Sequence, residues 1–321
     1  MLKKRMAEDE NEYESYSLAS LVSYGGIVLT RPMQTNETKG MLLGLIGVLL
    51  FSLTLPFTRI AVAELSPYFV TFGRSSLGGI CAVLLFIFTR PKLPTQSQLI
   101  RLSVMALGVV YGFPLFVSLA MTTLPSAHGG IVLGVLPLVT AVVGALRFSE
   151  RPSLAFWITA VIGSLLVVTY AYVNGSGGLA SEDWLLFFAV LSAAVGYSEG
   201  GKLSEEMSSV DVISWALVLT LPINLFLAYQ CLDFEISSVS TPALVSFIYV
   251  GVISMYVGFF FWYRGIALGG VARVGQVQLL QPFLTLLGAY ALLDEQITAM
   301  NVGFALCVVT VVVLGKRTRA K

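Results

Sequence analysis

Apolar runs recur along the whole chain after residue 40, and each is long enough to cross the hydrocarbon core of a membrane. A helix of about 20 apolar residues spans roughly 30 Å, and only helices and closed barrels satisfy their backbone groups in lipid. The pattern therefore predicts an all-α polytopic membrane protein with ten transmembrane helices. The ten runs, here called segments 1 to 10, lie at residues 41–63, 67–89, 100–122, 125–148, 153–173, 183–203, 211–231, 242–265, 270–293 and 297–315.

Composition supports this class and excludes others. Hydrophobic residues make up 56% of the chain and charged residues 12%, about half the share that soluble domains carry. The net charge of +1 argues against a nucleic-acid partner. Three isolated cysteines indicate neither a disulfide framework nor a metal site (Cys81, Cys231 and Cys307). The sequence has no phosphate-binding loop or nucleophile motif, so we expect no enzymatic activity and no cofactor.

Basic residues predict the orientation. With the N-terminus in the cytoplasm, every Lys and Arg except Arg59 and Arg74 falls on the cytoplasmic side, as the positive-inside rule requires. Both termini are then cytoplasmic, and the protein lies in the inner membrane. Residues 1–39 are polar at first and predict a mobile cytoplasmic extension, with Met33 as an alternative start. Residues 316–321 predict a basic cytoplasmic tail.

A repeat relates the two halves of the chain. Shifted by 145 residues, the stretch 125–150 falls on 270–295 with six identities in 26 positions. Each unit has five segments, an odd number, so the second copy enters the membrane from the opposite side. Residues 40–174 and 182–315 are therefore predicted to be two inverted five-helix repeats. The identical pairs are Ala127/Ala272, Gly130/Gly275, Val132/Val277, Pro137/Pro282, Thr140/Thr285 and Glu150/Glu295.

The chain resembles the EamA-type branch of the drug/metabolite transporter superfamily over residues 40–315. The matching features are Phe51 to Arg59 in segment 1, Pro67 with Arg74 in segment 2, and the proline, threonine and glutamate shared by segments 4 and 9. This resemblance implies a basket of two inverted five-helix bundles around a central cavity, which exports small metabolites, often amino acids. It also implies that segments 5 and 10 lie at the periphery.

Six residues are candidates for binding the substrate. Arg74 lies about two turns into segment 2, where a cation costs at least ~2.5 kcal/mol and needs a partner. That partner is either a substrate carboxylate or a structural ion pair, for example with Glu64. Polar residues in segment 9 and paired tyrosines in segments 3 and 8 either line the cavity or make ordinary interhelical contacts. They are Gln278, Gln281, Thr285, Tyr111 and Tyr256.

A further set of residues is assigned to movement or to energy coupling. Prolines and a glycine within segments 3, 4 and 9 predict the helix breaks that alternating access needs (Pro137, Pro282, Gly112 and Pro114). Three titratable residues are candidates for a gate or for proton coupling, or else for structural pairs (His128, Glu199 and Lys202). Arg59 is expected either to reach the headgroups or to line the cavity. The mirrored Glu150 and Glu295 are expected to close helix ends.

These features predict a secondary transporter that exports a small polar metabolite, such as an amino acid, by alternating access. Its partners are then the substrate, membrane lipid and protons, and the sequence leaves the oligomeric state open. An importer, or a carrier of nucleobases, sugars or lipids, is the alternative within transport. A membrane-embedded enzyme or a scaffold is the alternative outside it.

Overall fold

The structure is a computed structural model that describes residues 31–147, 154–174, 181–235, 238–269, 274 and 277–319. The chain divides into two units, Met1–Thr35 and Asn36–Lys321. Of the first unit only residues 31–35 are described, and they are helical. The predicted extension therefore lies mostly outside the described residues, as does Glu150. All regular structure in the described part of the chain is helical.

In the first half of the chain, segments 1, 3 and 4 are each built from more than one helical piece. Segment 1 is interrupted at Leu53, and segment 3 passes through a π-helical stretch, while segments 2 and 5 are continuous. The helices are Arg31–Ser52, Thr54–Val62, Pro67–Thr89, Gln96–Ala106, Leu107–Gly112 (π), Phe113–Ala120, Ser126–Leu133, Leu136–Arg147 and Leu154–Asn174.

The second half is organised similarly. Segments 6, 7 and 10 are continuous, segment 8 contains a second π-helical stretch, and a 3₁₀ turn precedes the longer helix of segment 9. The helices are Ser181–Leu203, Ser209–Gln230, Thr241–Ile248, Tyr249–Val257 (π), Gly258–Gly269, Gln278–Leu280 (3₁₀), Gln281–Leu293 and Ala299–Arg319.

Seven of these helical stretches are long and apolar enough to cross a membrane, and they correspond to segments 1, 2, 3, 4, 6, 7 and 8. Three further apolar helices, in segments 5, 9 and 10, are shorter over their described residues: Trp157–Val173, Gln278–Leu293 and Ala299–Val311. The structure therefore agrees with an all-helical polytopic membrane protein. Ten crossings remain an expectation from the sequence.

Packing joins the two halves segment by segment. Segment 2 packs on segment 7, segment 4 on segment 9, and segment 5 on segment 10. Segments 1 and 8 pack together, as do segments 3 and 6. Segments 5 and 10 have each other and segments 4 and 9 as their main partners, and segment 5 exposes large apolar side chains such as Leu154, Ile158 and Leu165. A large buried core runs between the segments.

Two helices have polar N-cap residues that lie 145 positions apart in the sequence. Thr95 caps the helix of segment 3 by accepting from the Gln98 amide (3.3 Å), and Ser240 caps segment 8 by accepting from the Ala243 amide (3.4 Å). Ser240 also donates its hydroxyl (2.5 Å) and its amide (2.7 Å) to the Glu64 carboxylate. Because both donors favour the ionised form, the pKa of Glu64 lies below its ordinary value.

Candidate functional site

A small cavity, here called the central cavity, lies between the two halves. It is about 20 Å³ in volume and large enough for about one water molecule. Side chains from segments 1, 2, 3, 4, 6, 8 and 9 line it. Apolar side chains cover most of it: Phe51, Val109, Phe113, Leu136, Met255 and Phe259. Five polar side chains complete the lining, namely Thr54, Arg74, Tyr197, Ser254 and Gln281. No carboxylate is among the described residues that line it.

Arg74 is the charged residue of this cavity, and it is only 1% exposed. Its Nη2 donates to the Ser254 hydroxyl at 3.2 Å. Its Nε and Nη1 find no hydrogen-bond partner among the described residues, and no described carboxylate lies within 4.0 Å of the guanidinium. Glu64, considered above as an ion-pair partner, instead binds Ser240. A guanidinium has five donors, so most of the hydrogen-bonding capacity of Arg74 is unused by the described protein.

A short polar chain fixes the position of the guanidinium. Thr54 and Ser254 share a hydrogen bond of 2.7 Å, and Ser254 accepts from Arg74. The chain links segments 1, 8 and 2, which come from both halves. Because all three residues are almost fully buried, these bonds restrict their rotamers and hold the remaining guanidinium donors at the cavity lining.

Aromatic rings form one side of the cavity. Phe51 contacts Phe259 edge-on with ring centroids 5.0 Å apart, and it stacks with Tyr197 at 6.4 Å. Tyr197 and Phe259 complete the triangle at 6.0 Å. Offset and edge-on pairs of this kind are favourable beyond the area they bury. This side of the cavity therefore offers a fixed apolar surface beside the hydrogen-bonding groups.

The three candidate substrate-binding residues of segment 9 differ in their position relative to the central cavity. Gln281 lines the cavity, whereas Gln278 and Thr285 do not, although all three are buried. Thr285 donates its hydroxyl to the Ser52 carbonyl at 2.9 Å. In a regular helix that carbonyl would receive the amide of residue 56, but residue 56 is proline. Thr285 thus satisfies a backbone group that Pro56 leaves free.

The two candidate tyrosines contact segment 7 and are not among the lining residues. Tyr256 shares a hydrogen bond of 2.9 Å with Ser214, and Tyr111 lies beside Thr220. Tyr197 of segment 6, which was not a candidate from the sequence, is the tyrosine that lines the cavity.

Helix interruptions lie next to the prolines of segments 4 and 9. The helix Ser126–Leu133 ends one turn before Pro137, which is the second residue of the next helix. Pro282 likewise stands second in its helix, directly after the 3₁₀ turn. Because proline lacks an amide proton, both interruptions follow from the sequence. They adjoin Leu136 and Gln281, which line the cavity.

Segment 3 contains the other two residues assigned to movement. Gly112 ends the π-helical stretch, and Pro114 is the second residue of the helix that follows. A Cβ at Gly112 would lie 2.5 Å from the Ser192 hydroxyl, and a Cβ at Gly108 would lie 2.4 Å from the Ser192 carbonyl oxygen. The glycines therefore permit the close approach of segments 3 and 6. π-Helical turns are frequent at functional sites.

Charged residues at the start of segment 4 form a helix cap. The Glu295 carboxylate accepts from the Ser126 amide (2.8 Å), the Ser126 hydroxyl (3.0 Å) and the Ala127 amide (2.8 Å). Arg59 approaches Glu295 at 3.6 Å and donates to the carbonyls of Met121 and Leu124. Arg59 thus fastens the connection between segments 3 and 4 and is not a lining residue.

A second cavity, of about 310 Å³, lies beside this cap. His128 Nε2 and Asp183 Oδ1 are 2.7 Å apart within its lining, and both side chains are buried. The His128 ring lies 5.0 Å from the Tyr170 ring, and the Tyr170 hydroxyl accepts from Asn301 at 3.0 Å. A titratable pair therefore joins segments 4 and 6 outside the central cavity.

The other end of segment 6 carries a second charge cluster. Glu199 is 1% exposed and binds Arg147 (2.7 Å) and Arg101 (3.2 Å). Lys202 instead pairs with Glu205 at 2.6 Å, in an exposed position. Glu199 and Lys202 therefore have different partners, and the Glu199 cluster connects segments 3, 4 and 6.

Several lining residues were not among the sequence candidates: Phe51, Thr54, Tyr197, Ser254 and Phe259. Thr54 and Ser254 could have been found from the sequence, because each is a small hydroxyl residue in the middle of an apolar segment, segment 1 and segment 8 respectively. The phenylalanines gave no such signal, because 20 phenylalanines are spread along the chain.

A helical membrane fold whose two halves enclose a buried cavity with an arginine in its lining is the architecture expected of a membrane transporter. The chain belongs to the EamA-like transporter family, whose sequence model matches residues 38–170 and again residues 180–315.

Similar proteins agree with this class. The chain is 45% identical over 277 residues to an uncharacterized transporter, YdeK, of Bacillus subtilis (strain 168), covering 85% of this chain and 96% of the relative. It is 24% identical over 293 residues to a probable amino-acid metabolite efflux pump of Escherichia coli (strain K12), covering 85% and 93%. A solved crystal structure shares the fold, with a TM-score of 0.60, 19% identity and coverage of 87% and 97%.

Proposed function

We propose that this transporter exports a small carboxylate-bearing metabolite, an amino acid or a related compound, from the cytoplasm by alternating access. The substrate carboxylate binds Arg74 in the central cavity. One observation carries the proposal. A buried guanidinium lines the cavity, and among the described residues two of its nitrogens have no partner and no carboxylate lies within 4.0 Å.

Burial makes an unpaired guanidinium costly. Even insertion-based scales assign ~2.5–3.5 kcal/mol to an arginine at the centre of a membrane helix. Arginine matches a carboxylate with two parallel hydrogen bonds, and Nε and Nη1 of Arg74 offer unused donors. A substrate carboxylate therefore supplies the partner that the described protein does not, which favours a binding role over a structural ion pair.

The two-fold arrangement supports ten crossings in two inverted repeats. The family model matches the chain twice, once in each half. The π-helical stretches at 107–112 and 249–257 overlap after a shift of 145 residues, and the same shift relates the caps Thr95 and Ser240. Segments 2 and 7, 4 and 9, and 5 and 10 pack as mates across the two halves.

Movement is required because the cavity is smaller than any such substrate. A volume of about 20 Å³ compares with ~300 Å³ or more for typical ligand pockets. The interruptions before Pro137 and Pro282 adjoin the cavity and supply bending points. Glu295 and Glu199 bind opposite ends of segment 4, at Ser126 and Arg147. Breaking and re-forming these contacts would open the two sides in turn.

Charge distribution supports the location, and the name of a relative supports the direction of transport. With basic residues kept inside, both termini face the cytoplasm and the protein lies in the inner membrane among lipids. In this orientation the Glu295 cap and the His128–Asp183 pair face outward, on the side from which protons would enter. The efflux activity in the name of the Escherichia coli relative favours export over import.

The test is substrate counterflow in proteoliposomes that contain the purified protein. Vesicles are loaded with carboxylate metabolites, and uptake of the radiolabelled compound is measured for the wild type, Arg74→Gln and Arg74→Lys. We expect Arg74→Gln to reduce counterflow about 100-fold, because a buried charge-assisted contact is lost. Arg74→Lys should restore it only in part, since lysine lacks the planar fork.

The matched control is Arg264→Gln, which makes the same change at an exposed position of segment 8. It is expected to transport normally. Equal counterflow by Arg74→Gln and the wild type would rule out the proposed role of Arg74. Counterflow of a nucleobase, sugar or lipid, with none for any carboxylate, would favour the alternative substrates.

A further inference from the structure

We infer that the substrate is a monocarboxylate without a free ammonium group: its nitrogen is acylated, or absent as in a 2-oxo or aromatic acid. This inference rests on the proposed function, since it takes the carboxylate to bind Arg74. It narrows the substrate from amino acids in general to their acylated or deaminated relatives.

The charge balance of the cavity is the first step. Arg74 contributes one positive charge, and no acidic residue is among the described residues that line the space. A monoanion neutralises the site. A zwitterion binds Arg74 with its carboxylate but brings its own ammonium group, so the closed cavity keeps one uncompensated positive charge.

The acids of the described structure that are buried or line the second cavity already have partners. Glu199 lies two residues after the lining residue Tyr197, but Arg101 and Arg147 hold its carboxylate. Glu295 and Asp183 line the second cavity, where they bind the start of segment 4 and His128. An ammonium group in the central cavity therefore has no carboxylate available within the described structure.

The remaining groups of the cavity suit a substrate that is uncharged apart from its carboxylate. Phe51, Phe259 and Tyr197 present apolar ring surface, and burying an ammonium group against it removes the hydration that the charge needs. Cation–π attraction to such rings recovers only part of this loss. The Gln281 side chain offers an amide donor and an amide acceptor, which match the C=O and N–H of an acylated nitrogen.

The experiment compares compounds that share a side chain and differ in charge. Wild-type proteoliposomes are tested for counterflow of phenylalanine, N-acetylphenylalanine, phenylpyruvate and N-acetylphenylalaninamide. At neutral pH the first is a zwitterion, the next two are monoanions and the last is uncharged. We expect both monoanions to be transported at least ~10-fold better than the other two, because an unpaired buried charge or a missing carboxylate contact weakens binding.

The same panel is then run with Arg74→Gln. We expect the preference of the wild type to be lost or reversed, with N-acetylphenylalaninamide transported at least as well as N-acetylphenylalanine, since the carboxylate of the latter is then buried without a cation. This comparison keeps the inference testable even if the variant transports slowly, because it depends on a ratio within one protein preparation.

Two failures can be told apart. If phenylalanine is transported as well as N-acetylphenylalanine, and Arg74→Gln abolishes both, the substrate inference is overturned while the carboxylate site stands. If no carboxylate of the panel is transported, or if Arg74→Gln leaves every rate unchanged, the proposed function itself fails and this inference falls with it.

Discussion

A single threonine supplies the hydrogen bond that a proline removes from the backbone of segment 1. Pro56 removes the amide that would bind the Ser52 carbonyl, and Thr285 supplies a hydroxyl from segment 9 at 2.9 Å. In lipid no water is available to take over this role, so one threonine links the geometry of segment 1 to that of segment 9. The same threonine leaves space only for a glycine at position 130, where a Cβ would lie 2.7 Å from its methyl group.

Replacing Thr285 by valine should destabilise the protein by about 1 kcal/mol, because a buried carbonyl loses its hydrogen bond while the side-chain volume is kept. The measurement is the free energy of unfolding in mixed detergent micelles. Thr310→Val is the control, since the Thr310 side chain is exposed and its hydroxyl bonds within its own helix, to Leu306. A Thr285→Val protein as stable as Thr310→Val would contradict this role.

At the scale of elements, glycines determine how closely segments 3 and 6 approach. A Cβ at Gly108 would lie 2.4 Å from the Ser192 carbonyl oxygen and 2.8 Å from the Gly196 amide nitrogen. Both neighbours are backbone atoms and cannot move without shifting a helix. Gly108 lies in the π-helical stretch beside Val109, which lines the central cavity. The contact therefore connects helix packing to the shape of the site.

Gly108→Ala should lower the free energy of unfolding by ~1–3 kcal/mol through overpacking, despite the better helix propensity of alanine. It should also reduce counterflow, because segment 3 is displaced from the cavity. Gly303→Ala is the matched control, since no described atom lies within 4 Å of a Cβ there. That variant should be as stable as the wild type or slightly more stable. A Gly108→Ala protein with unchanged stability and counterflow would contradict a limit set by this backbone contact.

On the scale of the whole molecule, the proposed substrate site and the candidate proton site are separate. Arg74 lies in the central cavity, whereas His128 and Asp183 lie in the second cavity. Segments 4 and 6 contribute residues to both cavities, namely Leu136 and Tyr197 to the first, and His128 and Asp183 to the second. A change in the His128–Asp183 pair would therefore act on the substrate site through the two helices that the cavities share.

If this pair couples transport to protons, His128→Gln and Asp183→Asn should keep counterflow, which needs no net driving force, but lose accumulation driven by a pH gradient. The measurement is uptake with and without an imposed gradient in the same vesicles. Glu205→Gln, which changes an exposed carboxylate on the connection after segment 6, should retain both activities. Gradient-driven uptake that survives in both cavity variants would remove the pair from the coupling mechanism.

The sequence by itself determined the class of fold. Ten long apolar runs, half the usual charge and a proline, threonine and glutamate repeated at an interval of 145 residues predict a polytopic helical protein built in two halves. The reason is that helix formation in lipid depends on length and hydrophobicity, which are local properties of the chain. The same locality makes Pro137 and Pro282 sites where the sequence predicts an interrupted helix.

Only the tertiary structure decided which polar residues meet. Arg74 and Gln281 line the cavity, whereas Tyr111, Tyr256 and Thr285 contact neighbouring helices. Thr54 and Ser254 enter the site from positions 200 residues apart. Most helices here are apolar on nearly all sides, so periodicity does not reveal which face points inward. That face is set by the rotation of each helix against its neighbours, and such packing depends on contacts between residues that are distant in the sequence.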